Sequence, residues 1–178
     1  MIVARLFMSQ KKSLNVPIFL SILIGVVLVI TIAITSQTPT PSGSIAVTPG
    51  AEPQLVVSDT SVDLGRMKVS EERSKDIILT NTGKGPLVIS RLRTSCNCTL
   101  ANITVNGVTT QGFNMEAHNS FALKNWTGTL APGESATLKA IYRPFVMPVQ
   151  GPVERIISFN TNDPQNPTAE ITLRAIVQ

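Results

Sequence analysis

From Val16 to Ile34, 15 of 19 residues are hydrophobic, and no charged side chain occurs between Lys12 and Glu52. As a helix rising ~1.5 Å per residue, this run is about 28 Å long, enough to cross the hydrocarbon core of a bilayer. Arg5, Lys11 and Lys12 precede it. Positive flanks stay on the cytoplasmic side, so the N-terminus is expected in the cytoplasm and everything after Thr35 outside the cell membrane. The competing reading is a cleaved signal peptide. Its apolar core ordinarily has ~7–15 residues, and Ile32-Ala33-Ile34-Thr35-Ser36 offers no clean Ala-x-Ala site. No Cys follows the run to be lipidated. A buried core helix fits least, because neither flank shows amphipathic periodicity.

The expected organisation is a cytoplasmic stub over 1–15, a single-pass anchor over 16–35, a stalk over 36–53 and an extracytoplasmic domain over 54–178. The stalk reads SQTPTPSGSIAVTPGAEP, a Pro/Thr/Ser-rich stretch without hydrophobic periodicity that stays extended in water. The overall hydrophobic share of 43% is raised by the anchor. Without it the share is roughly 39%, ordinary for a small exported domain. Of the 15 basic residues three lie in the stub, and of the 11 acidic ones Glu52 lies in the stalk, which leaves a nearly balanced outer domain. With no basic block and 4% aromatic residues, nucleic acid is not an expected partner.

Past the stalk the hydrophobic period is two. In Thr168–Gln178, Ala169, Ile171, Leu173, Ala175 and Val177 share one face while Glu170, Thr172 and Arg174 share the other, as in a half-buried strand. Glu134–Tyr142 points Ala136, Leu138, Ala140 and Tyr142 inward, and Val153–Phe159 places Val153, Ile157 and Phe159 on a common face with Arg155 between them. Shorter β-branched runs occur at Leu55–Ser58, Lys75–Thr80 and Leu87–Leu92. The breakers between runs include Asn81-Thr82-Gly83-Lys84-Gly85-Pro86, Ala131-Pro132-Gly133 and Asn162-Asp163-Pro164. Six or seven strands without an intervening helical pattern predict an all-β fold, an immunoglobulin-like antiparallel β-sandwich. The two cysteines are one residue apart, so no inter-sheet disulfide of the antibody kind is expected and packing alone holds the core. Trp126 is expected as a core or rim aromatic.

The string Leu79-Thr80-Asn81-Thr82-Gly83-Lys84-Gly85-Pro86-Leu87-Val88-Ile89, followed by Ser95-Cys96-Asn97-Cys98-Thr99 and Pro132-Gly133-Glu134, resembles a bacterial family, the "domain of unknown function 1573". Asn162-Asp163-Pro164 fits it as well, so the resemblance runs from about Val57 to Val177. Its specific element is Cys-x-Cys-Thr. The resemblance implies an immunoglobulin-like sandwich related to major-sperm-protein-type domains, exported and anchored by lipid or a helix, with no established activity. Members commonly carry Gly between the cysteines. Asn97 in its place is expected to disfavour a tight turn. Some members with a long stretch after the cysteines carry Gly-Met-His there and a His after a Tyr-x-Pro turn; this chain has Met115, His118 and, after Tyr142-Arg143-Pro144, Met147.

On a strand, Cys96 and Cys98 would share a face with Cα atoms roughly 6.6 Å apart, near the upper limit for a disulfide. Two thiolates ~2.3 Å from a shared ion are easier to arrange. With Met115, His118 and Met147 as further donors, the soft ligand set favours Cu(I). The plainer readings are buried small hydrophobes or, in an oxidising compartment, an exchange-labile disulfide. Met115 and Met147 also read as core filler, and His118 as a solvated loop residue.

One His, scattered acids, no Gly-x-Ser-x-Gly and no phosphate loop leave no catalytic constellation, so an enzyme is not expected. Three readings stand. The first is a membrane-anchored binding module that holds or delivers a soft metal such as copper. The second is a structural or interaction module that contacts another envelope protein, for instance by strand addition. The third is a thiol–disulfide redox protein. No small-molecule substrate is indicated. The anchor reading expects the mature protein to keep its first residues: an N-terminal sequence beginning near Ser36 would contradict it.

Overall fold

The computed structural model describes residues 50–178; the stub, the anchor and most of the stalk lie outside the described residues. Ten strands form two sheets. They are β1 (Leu55–Val57), β2 (Ser61–Met67), β3 (Arg73–Asn81), β4 (Leu87–Thr94), β5 (Thr99–Val105), β6 (Val108–Thr109), β7 (Thr127–Leu130), β8 (Ser135–Tyr142), β9 (Gly151–Thr161) and β10 (Thr168–Val177). One sheet has the order β1-β3-β8-β5-β6 and the other β2-β10-β9-β4-β7. Between β6 and β7 stands one short helix, α1 (Phe121–Lys124), whose N-cap Ser120 accepts from the Leu123 N–H. Among the described residues no helix is long and apolar enough to cross a membrane.

The expected sandwich is present, and so are all six expected runs. Ile171, Leu173, Ala175 and Val177 of β10 are buried, as are Ala136, Leu138, Ala140 and Tyr142 of β8 and Val153, Ile157 and Phe159 of β9. The two facing surfaces make one core around Ile77, Leu79, Ile89, Leu138, Phe159 and Ile171. Trp126 packs against that core, edge-on to Phe113 with ring centroids 5.5 Å apart.

The sandwich is not wholly antiparallel. After β1 pairs with β3, the chain switches sheets and β2 runs parallel to β10, with Val62 opposite Leu173. Four strands escaped the sequence reading, each for a local reason. In β2 the alternation breaks at Gly65, which has φ +72°. β5 buries Thr99, Ala101 and Ile103, of which two are polar or small. β6 is exposed and two residues long, fixed by the Asn106-Gly107 turn, where both residues have positive φ as a two-residue hairpin loop requires. β7 contains Gly128, where a side chain would collide with the Trp126 ring.

At the end where the chain enters, Asn81 is fully buried and uses its whole amide. Its Nδ2 donates to the carbonyls of Gly85 (2.8 Å) and Leu130 (3.0 Å), and its Oδ1 accepts from the backbone of Gly83 (3.0 Å) and Gln54 (3.3 Å). The incoming segment lies directly on this turn: Lys84 N–H donates to the Glu52 carbonyl and Thr82 N–H to that of Gln54, both at 2.9 Å. A Cβ on Gly83 would strike the Glu52 and Gln54 backbone, and one on Gly85 the Ala51 carbonyl. Close backbone approach, not left-handed conformation, is thus why both positions are Gly.

Asp163 is 1% exposed. Burial alone would raise its pKa, but hydrogen bonds from the Asn166 side chain and the backbone N–H groups of Leu55, Gln165 and Asn166 outweigh it and hold the carboxyl below its ordinary 3.8. A lowered pKa means that the contribution is complete at pH above 3.8 and disappears as the pH falls through the folded-state value. Asp163→Asn is expected to cost about 2 kcal/mol at pH 7, with the gap to the wild type narrowing on acidification below 3.8 in urea unfolding curves.

Candidate functional site

The opposite end of the sandwich carries the cysteines. With ten residues in β10, the two ends lie about 30 Å apart. A second apolar cluster closes this far end: Met67, Cys96, Cys98, Tyr142, Val153, Ala175 and Val177.

Cys96 and Cys98 are not on a strand. They sit in the turn where the chain crosses from β4 in one sheet to β5 in the other, and they are joined as a disulfide with Cα atoms 5.1 Å apart. The turn is closed by Thr99 N–H donating to the Cys96 carbonyl at 3.0 Å, and Cys98 N–H points at Cys96 Sγ at 3.1 Å. Asn97 permits this tight turn without a positive φ, contrary to the expectation attached to its replacing Gly. Leaving the extended conformation shortens the Cα span well inside the disulfide range, which removes the geometric objection drawn from strand spacing. The Thr94 hydroxyl donates to the carbonyls of Cys96 (3.0 Å) and Thr99 (3.2 Å), and Arg143 N–H donates to that of Cys98 (2.8 Å).

The five residues expected to hold a soft metal separate. Met147 joins the pair: its Sδ is 3.7 Å from Cys96 Sγ. It follows a 3₁₀ turn at Pro144–Val146 and is 49% exposed. Met115 caps and His118 ends another 3₁₀ turn, Glu116–His118, in the segment between β6 and α1. That segment is pinned to β4, since buried Asn119 donates to the Leu92 carbonyl and accepts from Asn114 N–H. Asn114 reaches the Asn97 carbonyl at 3.4 Å. Among the described residues, however, neither Met115 nor His118 makes a side-chain hydrogen bond or sulfur contact with the cysteines, and His118 is exposed. No group of three His, Cys, Asp or Glu side chains is placed to hold a metal among the described residues. The cysteines, as a disulfide, present no thiolate.

The sequence reading missed the residue that meets the other sulfur. Arg155 Nε donates to Cys98 Sγ at 3.1 Å, while its guanidinium lies over the Tyr142 ring, 5.8 Å from the centroid. The signal was in the alternation, which places Arg155 on the inward face with Val153 and Ile157. Cys98 is fully buried and Cys96 is 7% exposed, so the two sulfurs differ in surroundings: one faces a cation from inside, the other a thioether at the rim.

Fold and site together define an all-β sandwich module with a disulfide-bearing crossover turn at the end remote from where the chain enters. Residues 55–128 match the model of the family described as "Protein of unknown function (DUF1573)". The match ends well before the Val177 limit of the resemblance seen in the sequence. No curated protein matches the chain.

Among solved structures, a protein of unknown function from Porphyromonas gingivalis is similar over 74% of this chain and 50% of its own, with 22% identity and a TM-score of 0.55, which shows the fold. The chain thus spans half the length of that protein. An ASH/PapD-like domain of human CEP192 aligns over 76% of this chain and 92% of its own at 11% identity, with a TM-score of 0.45. A chain of a Salmonella enterica structure of SafA pilin in complex with the SafB chaperone aligns over 70% of this chain and 55% of its own, at 9% identity and a TM-score of 0.42.

Tyr142 is 1% exposed, and its hydroxyl is buried without a hydrogen-bond partner. An unpaired buried hydroxyl carries its desolvation cost uncompensated. Tyr142→Phe keeps the ring under Arg155 and is expected to raise stability by about 1 kcal/mol in chemical denaturation; a loss would mean that the hydroxyl is satisfied.

Proposed function

We propose that this chain is a membrane-anchored, extracytoplasmic β-sandwich module whose working group is the Cys96–Cys98 disulfide, opened and closed by thiols of the cell envelope. The observation that carries the reading is the Arg155 Nε contact of 3.1 Å on Cys98 Sγ: a guanidinium aimed at one sulfur of a disulfide stabilises that sulfur as a thiolate when the bond opens. A purely structural staple needs no such partner. A loop of one intervening residue also removes little conformational freedom from the unfolded chain, so the bond contributes little as a crosslink.

The chain enters the sandwich at Glu52–Gln54, and the cysteine turn lies at the opposite end. Phe145 (48% exposed) and Met147 beside the turn give that end an apolar rim of the kind protein partners cover. The role is a stoichiometric redox exchange, without the acid–base apparatus of an enzyme.

A second reading is favoured by the 3.7 Å separation of Met147 Sδ and Cys96 Sγ. Once reduced, Cys96, Cys98 and Met147 offer two thiolates and a thioether, a donor set suited to Cu(I). The soft-metal reading therefore belongs to the reduced protein, without Met115 or His118.

One experiment tests both. The full-length protein is reduced with dithiothreitol and divided: one portion is alkylated and weighed at once, the other is reoxidised with oxidised glutathione before alkylation and weighing. Reversible appearance of two alkylated cysteines is expected; a mass indifferent to reductant would overturn the redox reading. The reduced protein is then titrated against a colorimetric Cu(I) chelator, and Met147→Leu is expected to weaken retention about tenfold. Equal retention by wild type, Met147→Leu and Cys96→Ser/Cys98→Ser would exclude the metal reading.

A further inference from the structure

We infer that the exchange has a fixed direction: an external dithiol attacks Cys96, and Cys98 is always the sulfur that leaves, received by Arg155. This inference rests on the redox reading above and adds which bond is made at which atom. Three observations carry it. Cys98 is fully buried and Cys96 is not, so a nucleophile from solvent meets Cys96 first. Cys96 lies against Met147, an unbranched and half-exposed side chain that can swing aside, whereas Cys98 is backed by Arg155 and the cluster around Tyr142. Among the described residues, the one cation in contact with either sulfur is on Cys98, where negative charge appears only if Cys98 is the leaving group.

The reaction balances as follows. A thiolate of the dithiol bonds to Cys96 Sγ, the Cys96–Cys98 bond breaks, and its electron pair stays on Cys98 Sγ as a thiolate facing the Arg155 Nε–H. The dithiol's second thiolate then attacks its own sulfur in the mixed disulfide. Cys96 is released and takes a proton from water, and the dithiol departs oxidised by two electrons. A stabilised leaving thiolate speeds exchange, and the choice of sulfur follows access and leaving-group stability. Arg155 touches the reacting atom and is in that sense catalytic; Met147 is a cover.

The test uses full-length protein in its oxidised form and needs no variant for its first arm. Brief exposure to glutathione, acid quenching and alkylation of freed thiols are followed by fragmentation mass spectrometry that separates Cys96 from Cys98. Glutathione on Cys96 with the alkyl group on Cys98 is the expected pattern. The reverse pattern, or an even mixture, would overturn the direction while leaving the redox reading intact; no adduct and no reduction would sink both.

In the second arm, dithiothreitol reduction is followed in Arg155→Met and Arg155→Lys. About tenfold slower reduction is expected in Arg155→Met, with recovery in Arg155→Lys and glutathione still on Cys96 in both. An unchanged rate in a folded Arg155→Met protein would remove Arg155 from the step.

Discussion

One buried amide organises the entry end of this sandwich. Asn81 lies at the end of β3, yet its side chain reaches the Gly85 carbonyl across the turn, the Leu130 carbonyl at the end of β7 and the Gln54 N–H of the incoming chain. It thereby fixes members of both sheets and the segment that precedes them. A buried amide with every hydrogen bond made is specific in a way that apolar packing is not, because any other register leaves part of it unpaired. Asp163 repeats the device from the β9–β10 turn by holding the Leu55 N–H. Together they select where the chain enters the sandwich.

The far end is built on different terms. There is no fully satisfied polar hub there, but a small cluster of Met67, Tyr142, Val153 and Val177 around the disulfide. The crossover turn sits where β4 of one sheet hands the chain to β5 of the other, so its geometry depends on both sheets. Thr94 and Arg143 hydrogen bonds to the carbonyls of Cys96 and Cys98 brace the turn from each side. Opening the sulfur–sulfur bond therefore releases only a one-residue loop inside a turn already fixed by its backbone.

Much of the fold was legible because alternation is a direct consequence of strand geometry. β8, β9 and β10 bury the residues their sequences nominate. What was illegible has particular causes: a glycine interrupts β2, Thr and Ala hide the buried face of β5, and β7 depends on a tryptophan two residues before its glycine. The site was half legible. Cys96, Cys98 and Met147 were singled out and do meet, but the strand assumption placed the cysteines at the wrong span, because a turn cannot be told from a strand by two cysteines and an asparagine. Met115 and His118 share a segment held to β4 by Asn119, a long-range hydrogen bond that no local pattern encodes.

Arg155 shows how a breach of pattern can be read as chemistry. A charged residue between Val153 and Ile157 on a core-facing row costs free energy unless something inside compensates it. Here compensation comes from the Tyr142 ring, the Glu154 carbonyl at 2.8 Å and Cys98 Sγ. The same few ångströms hold an uncompensated feature, the unpartnered Tyr142 hydroxyl. A half-buried cation and an unpaired buried hydroxyl, both beside one disulfide, are more than packing requires, since a leucine and a phenylalanine would fill the volume at less cost. A guanidinium is suited to a sulfur that carries charge. In the closed disulfide that charge is absent, so the contact is only partly used; in the opened form Arg155 and Cys98 become an ion pair. The surroundings of this sulfur thus suit its reduced state better than its oxidised one, which is the arrangement expected of a bond that opens.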